Sequence, residues 1–316
     1  MLLRPDAARA QQQRVRRVAV FVGISENDPE TQARVAGFRR GLMAAGWIEE
    51  RNLHLDYYYA DGSAEVAQSV AAEVVRSRPD LILANGVLVV SALKKATQTI
   101  PIVFAAVNDP VGQGFIESYA RPGGNITGFA FIEPELIGKW LAVLTELSPA
   151  IKRSALLFNP TTTPYYPGYL RAFEATQTAG SAKVSAAPVT TPDEIEGAVA
   201  VLAREEGGSL IAAADPFVVV HRAAILEAAR RHALPAISAY RQFTIDGGLV
   251  SYGPDTQDAF ERSAGYVDRI LKGANPSDLP VQSPVKYEFY INLRTAKALR
   301  LDPPPTLVAQ ANEVIE

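Results

Sequence analysis

Short apolar runs rich in β-branched residues alternate along the chain with longer stretches whose apolar positions recur every three or four residues. Residues 17–23 (Arg-Val-Ala-Val-Phe-Val-Gly) are the first such run, ended by glycine, as expected of a parallel strand buried on both faces. Over 31–46, Val35, Phe38, Leu42 and Ala45 share a helical face, and Gly46 sits where a C-terminal cap belongs. Leu53, Leu55, Tyr57 and Tyr59 alternate and predict a second strand over 52–59. The pattern continues with a helix over 63–76 capped by Ser63, a strand at 81–84, a helix over 87–97 and a strand at 102–106. A turn-rich segment, 121–128, interrupts this order. The rhythm then restarts with helices predicted over 133–147, 166–179, 193–205 and 220–232, and strands at 154–159, 183–189, 209–213, 235–238 and 248–251. A helix over 255–272, a proline-rich link at 275–284, the segment 286–292 and a helix over 293–299 complete the chain.

Strands and helices in alternation with short connections predict an α/β protein with parallel, doubly wound sheets and right-handed crossovers. The interruption and restart predict two Rossmann-like lobes, and the tail is too small to be a third. The expected division is 17–125 plus 253–283 for one lobe and 126–252 plus 284–316 for the other. Three segments then cross between them, at 121–128, 247–253 and 275–284, which is the architecture of a hinge over a cleft.

Ligands in doubly wound sheets sit beyond the carboxyl ends of the strands. Those ends carry Ser25 and Asn27; Asn85, Gly86 and Val87; Asn108 and Asp109; Asn159; Asp215 and Phe217; and Tyr240. Short amides, hydroxyls, carboxylates and aromatic rings recur at six ends, and Tyr165 follows the fifth strand closely, so together they could line a cleft of mixed polarity. Each also has an ordinary role: Ser25 and Asn27 could cap a helix, and Asn108-Asp109-Pro110 and Asn159-Pro160 are turn sequences. Asp215 follows a strongly apolar run, so it either caps the next helix or meets a ligand ammonium. Tyr165 and Tyr166 either stack on an apolar ligand or pack against the lobe surface.

Composition narrows the function. The 316 residues are 48% hydrophobic and 21% charged with a net charge of −3, a balance that excludes the basic face a nucleic-acid binder needs. No cysteine is present, and His54, His221 and His232 share no metal-ligand spacing, so neither a metal centre nor a thiol nucleophile is expected. No Gly-x-Ser-x-Gly elbow, Walker loop or Gly-x-Gly-x-x-Gly fingerprint occurs. We therefore expect no catalytic residues, no cofactor and no enzymatic turnover. Ala8-Arg9-Ala10 before Gln11-Gln12-Gln13 reads as the end of a signal peptide without its apolar core, or as an alanine-rich tail.

The chain resembles the ABC transporter substrate-binding family of the periplasmic binding protein type I fold, in the group with tryptophan- and tyrosine-type binding proteins. The resemblance is carried by Gly37-Phe38-Arg39-Arg40-Gly41-Leu42, Pro101-Ile102-Val103-Phe104, Asn108-Asp109-Pro110-Val111, Arg121-Pro122-Gly123-Gly124-Asn125-Ile126-Thr127-Gly128 and Ala214-Asp215-Pro216-Phe217. It continues through Gly247-Gly248-Leu249-Val250-Ser251-Tyr252-Gly253 and the tail around Ile291-Asn292-Leu293-Arg294. It implies a periplasmic receptor that acts as a monomer. Such a receptor closes on a small organic solute, an aromatic or branched-chain amino acid or related carboxylate, and delivers it to a membrane permease with its ATPase. A receptor that reports to a signalling partner, and more remotely a two-domain enzyme, are the competing expectations.

Overall fold

The computed structural model describes residues 15–176, 182–204 and 206–316; the leader expected at the N-terminus and the ends of the helices expected over 166–179 and 193–205 fall outside those residues. Two sheets organise the chain. The first holds β1 (Arg16–Val22), β2 (Leu53–Tyr59), β3 (Leu81–Asn85), β4 (Ile102–Val107) and β5 (Ile126–Ala130), all parallel, in the order β2-β1-β3-β4-β5. Helices α1 (Pro29–Ala44), α2 (Ala64–Arg76) and α3 (Val87–Ala96) make its crossovers.

β1 shows why its run is continuously apolar. Val18, Val20 and Val22 face the core beneath α1, while Ala19 and Phe21 face the opposite core with α2 and α3. Both faces are covered, so no polar alternation survives. Ser63 accepts from the Val66 amide and caps α2, as its position predicts.

After α4 (Pro134–Leu147) the chain builds a second sheet from β6 (Arg153–Phe158), β7 (Lys183–Pro188), β8 (Gly208–Ala212), β9 (Ala236–Ser238), β10 (Val250–Pro254), β11 (Tyr287–Asn292) and β12 (Glu313–Ile315). The order is β12-β11-β10-β9-β8-β6-β7, parallel except where β10 meets β11. Its helices are α5 (Tyr166–Thr176), α6 (Pro192–Ala203), α7 (Pro216–Val220), α8 (Arg222–Arg231) and α9 (Arg241–Ile245). From β10 the chain returns to the first sheet as α10 (Thr256–Leu271), which packs along α1. A 3-10 turn, Pro276–Asp278, follows before the chain goes back as β11. The short helices α11 (Leu293–Ala298) and α12 (Pro305–Val308) precede β12.

Three segments thus run between the sheets, and the first two pass later than expected. Ile126–Ala130 forms a strand with β4, so the first passage follows residue 130 rather than 125. β10 continues in the second sheet to Pro254, beyond the expected change at 252. Turn-forming residues 121–125 hid the following strand, because glycine and proline mark the approach to an element as readily as its end. The passages lie side by side: the Ala130 amide donates to the Gln282 carbonyl at 2.9 Å and the Asp255 amide to the Lys286 carbonyl at 3.0 Å.

Candidate ligand-binding cleft

The carboxyl ends of both sheets converge on a cavity of about 30 Å³ between the lobes. The first lobe contributes Gly23 and Ile24 after β1, Arg34 from α1, Asn85, Gly86 and Val87 after β3, and Ala106 and Asn108 at the end of β4. The second contributes Tyr165 before α5, Ala214 and Pro216 after β8, Val219 from α7 and Tyr240 before α9.

Local backbone geometry sets these residues in place. Gly86 caps α3 with φ of +84°, a conformation glycine adopts without a Cβ penalty, and it turns the chain sharply between Asn85 and Val87. At the end of β4 the register shifts between Ala105 and Val107, and Ala106 takes φ of +55°. This bulge redirects the strand end, as bulges beside binding sites do. The buried Asn85 donates to the Ala105 carbonyl at 2.9 Å, fixing its amide against the bulge.

Asn108 joins the lobes. Its Nδ2 donates to the Tyr165 hydroxyl at 3.0 Å and to the Ala214 carbonyl at 3.1 Å, while its Oδ1 accepts from the Ile132 amide in the first passage. Tyr165 donates to the same Ala214 carbonyl at 2.7 Å. Burial, with the nearby Asp215 charge adding to it, raises the Tyr165 pKa well above the ordinary phenol value, so it remains a neutral donor. Tyr240 stacks on Phe131 with ring centroids 5.4 Å apart, and the Arg34 guanidinium lies over the Tyr240 ring, 5.5 Å from its centroid.

Ion pairs flank the cavity and cross between lobes. Arg222 of α8 reaches Asp28, the N-cap of α1, at 2.8 Å. Arg241 of α9 reaches Glu30 of α1 at 2.8 Å and Glu288 of its own lobe at 3.1 Å. Burial works against the Arg241 charge, but the two carboxylates outweigh it and hold its pKa above the ordinary value.

Of the expected site residues, Asn85, Gly86, Val87, Asn108, Tyr165 and Tyr240 meet at this cavity. The others lie away from its wall. The Ser25 oxygen accepts from the exposed Asn27 amide in a turn, and Asp109 accepts from the Gly112 amide in another. Asn159 receives the Thr161 amide and donates to the Thr190 carbonyl, holding its own loop. Phe217 packs into the second lobe's core against His221. Asp215 is fully buried and takes the capping role: its Oδ1 accepts from the Val218 amide at 3.2 Å and the Thr162 hydroxyl at 3.0 Å. Its Oδ2 has no partner among the described residues. Burial pushes its pKa up to about 6, against the hydrogen bonds that lower it. Arg34, Ala106 and Val219 are not strand-end positions in the sequence pattern, because two lie within helices and Ala106 lies inside an apolar strand; the signal for Arg34 is a cation on the inward side of a helix.

Two α/β lobes, three passages and a cavity shared by their strand ends define a binding protein of the periplasmic type. The chain belongs to the ABC transporter substrate binding protein family, whose model matches residues 17–315. It is 26% identical over 280 residues to a tyrosine-binding protein of Clostridioides difficile, covering 88% of this chain and 80% of that one. A conserved domain protein of Vibrio cholerae superposes with a TM-score of 0.88 at 27% identity, covering 95% of this chain and all of the other. An ABC domain from Streptococcus pneumoniae in complex with L-Trp superposes with a TM-score of 0.86 at 21% identity, with the same coverage. Among the described residues no group of histidines and carboxylates could hold a metal ion, and no helix is long and apolar enough to cross a membrane.

Proposed function

We propose that this protein is the extracytoplasmic receptor of an ABC importer and captures a small organic solute between its lobes. The solute is an aromatic or branched-chain amino acid or a related carboxylate, taken up 1:1 by a monomer without chemical change and passed to a permease and its ATPase. The observation that carries this reading is the shared wall of the cleft. Asn108 of one lobe donates to Tyr165 and Ala214 of the other, so the site is complete only when the lobes are together. A cavity of about 30 Å³ has room for little more than a water molecule. A solute therefore enters with the lobes apart, and its contacts with both sides favour the state in which they approach. The apolar part of the wall (Ile24, Val87, Val219) suits a hydrocarbon body and the amide and phenol groups suit a polar head. The sequence similarity to a tyrosine-binding protein supports an amino-acid-like solute.

Native mass spectrometry of freshly purified protein tests the proposal. The expected result is a 1:1 non-covalent adduct, either co-purified or formed with a member of an amino-acid and aromatic-acid panel, whose solute is released unaltered on unfolding. A bare chain that gains no mass from any member, or a solute converted on incubation, contradicts it.

A further inference from the structure

We propose that Arg34 is the specificity-determining residue of the cleft, the cation that anchors a carboxylate, and that no acidic side chain there reads a ligand ammonium. The site then accepts organic acids whether or not they carry an α-amino group. This rests on the cleft being the solute site.

Arg34 is 3% exposed and forms part of the cavity wall. Its Nε donates to the Thr256 hydroxyl at 3.1 Å. Its nearest carboxylate oxygen, Glu30 Oε2, forms a buried ion pair with it at 3.8 Å, beyond hydrogen-bonding distance; that oxygen accepts from the Thr256 hydroxyl at 3.2 Å, and the other carboxylate oxygen accepts from Arg241 at 2.8 Å. One of the five guanidinium donors thus has an acceptor among the described residues. The donors that line the cavity are left for a ligand, and a carboxylate satisfies two of them at once in the planar fork geometry that lysine lacks. Tyr240 beside the guanidinium, 5.5 Å from its ring centroid, and Thr256 behind it restrict the orientation of that fork.

The opposite wall offers no matching anion. Asp215 is the nearby carboxylate of the second lobe, but it is absent from the cavity wall: its Oδ1 is held by Thr162 and the α7 amide, and its Oδ2, without a partner among the described residues, is fully buried behind that wall. The Ala214 carbonyl is there, yet it already accepts from Tyr165 and Asn108. A neutral wall discriminates poorly between a ligand with and without an ammonium group, whereas a buried guanidinium discriminates strongly between an acid and its amide.

Calorimetric titration of the full chain tests this with four forms each of tyrosine, tryptophan and leucine: the amino acid, the deaminated acid, the amide and the decarboxylated amine. For the side chain that binds best, both acids are expected to bind at least about tenfold more tightly than the amide and amine, and to lie within about tenfold of each other. Arg34→Gln is expected to lower acid affinity about thirtyfold or more and amide affinity far less, so that the preference collapses. Arg34→Lys, which keeps the charge and loses the fork, falls between the two and serves as the test should Arg34→Gln not fold. An acid-to-amide ratio unchanged in either folded variant overturns the role of Arg34. A deaminated acid more than about a hundredfold weaker than its amino acid overturns the neutral-wall part. Absence of heat from every compound overturns the reading of the cleft itself, a result distinct from heat without acid preference.

Discussion

Asp215 shows how one buried side chain couples stability to pH. Its folded pKa of about 6 stands above an ordinary carboxyl value of about 4, so the folded chain binds the proton more tightly than the unfolded one. The stability linked to that proton is full below about pH 4 and is lost as pH rises through about 6, a cost on the order of 3 kcal/mol at neutral pH. Asp215→Asn keeps an acceptor for the Val218 amide and Thr162 and carries no charge. Thermal melts are expected to show the variant about 5 °C more stable than the parent at pH 7.5 and no more stable at pH 4. Asp215→Ala should fall below Asp215→Asn at every pH by about 1 kcal/mol for the lost cap. The sequence showed that a carboxylate after five apolar residues must be special, and it left capping and ligand binding as alternatives. The structure shows the cap, with the Val218 amide and the Thr162 hydroxyl from a distant loop both on Oδ1. Asn85, Asn108 and Tyr240 were legible because parallel strands place their carboxyl ends on one edge, whereas nothing local marks Arg34, whose place in the cleft follows from the packing of α1.

At the scale of elements, the return of α10 onto α1 explains two glycines in the first lobe. A Cβ on Gly41 would run into the Glu261 carbonyl oxygen and come within 2.7 Å of the Ala264 Cβ; one on Gly37 would lie 3.0 Å from the Gln257 carbonyl oxygen. The backbones of the two helices therefore approach closely at one helical stripe. Gly41→Ala is expected to destabilise the protein by about 1–3 kcal/mol despite the helix propensity it adds. Gly265→Ala, on the open side of α10 with nothing within 4 Å of the new Cβ, should stabilise by about 0.5–1 kcal/mol. Midpoints of urea unfolding compare the two directly. Strands buried on both faces and helices with Ser63-type caps were readable from pattern alone. β5 and α9 were not: the first begins directly behind a turn-rich stretch, and the second is a five-residue helix, too short to show a period.

Across the whole molecule, the proposed closure rests on contacts between the lobes. Arg222–Asp28 and Arg241–Glu30 both bridge α1 of the first lobe to helices of the second. Arg222→Met removes the more peripheral pair, contributing about 1 kcal/mol to the closed state, and should weaken solute binding about fivefold. Calorimetry at low and high salt should show a smaller salt dependence in the variant than in the parent; equal affinity and equal salt dependence would mean the pair plays no part in closing. The repeated α/β rhythm made two lobes legible, and the similarity of motifs over the chain gave the family. The places where the chain passes between lobes were set by sheet pairing that sequence pattern does not encode. The absence of cysteine allows a direct test of closure, because labels attach only where cysteine is introduced. The side chains at Glu65 and Val220 lie at exposed positions on opposite lobes, with Gly62 near the Val220 side chain across the cleft. Electron-spin distance measurement between labels on Glu65→Cys and Val220→Cys, with and without a bound solute, follows the lobes directly. A broad distribution that collapses to one short distance when solute binds is expected; a distribution unchanged at saturation would mean that the lobes do not close on the solute.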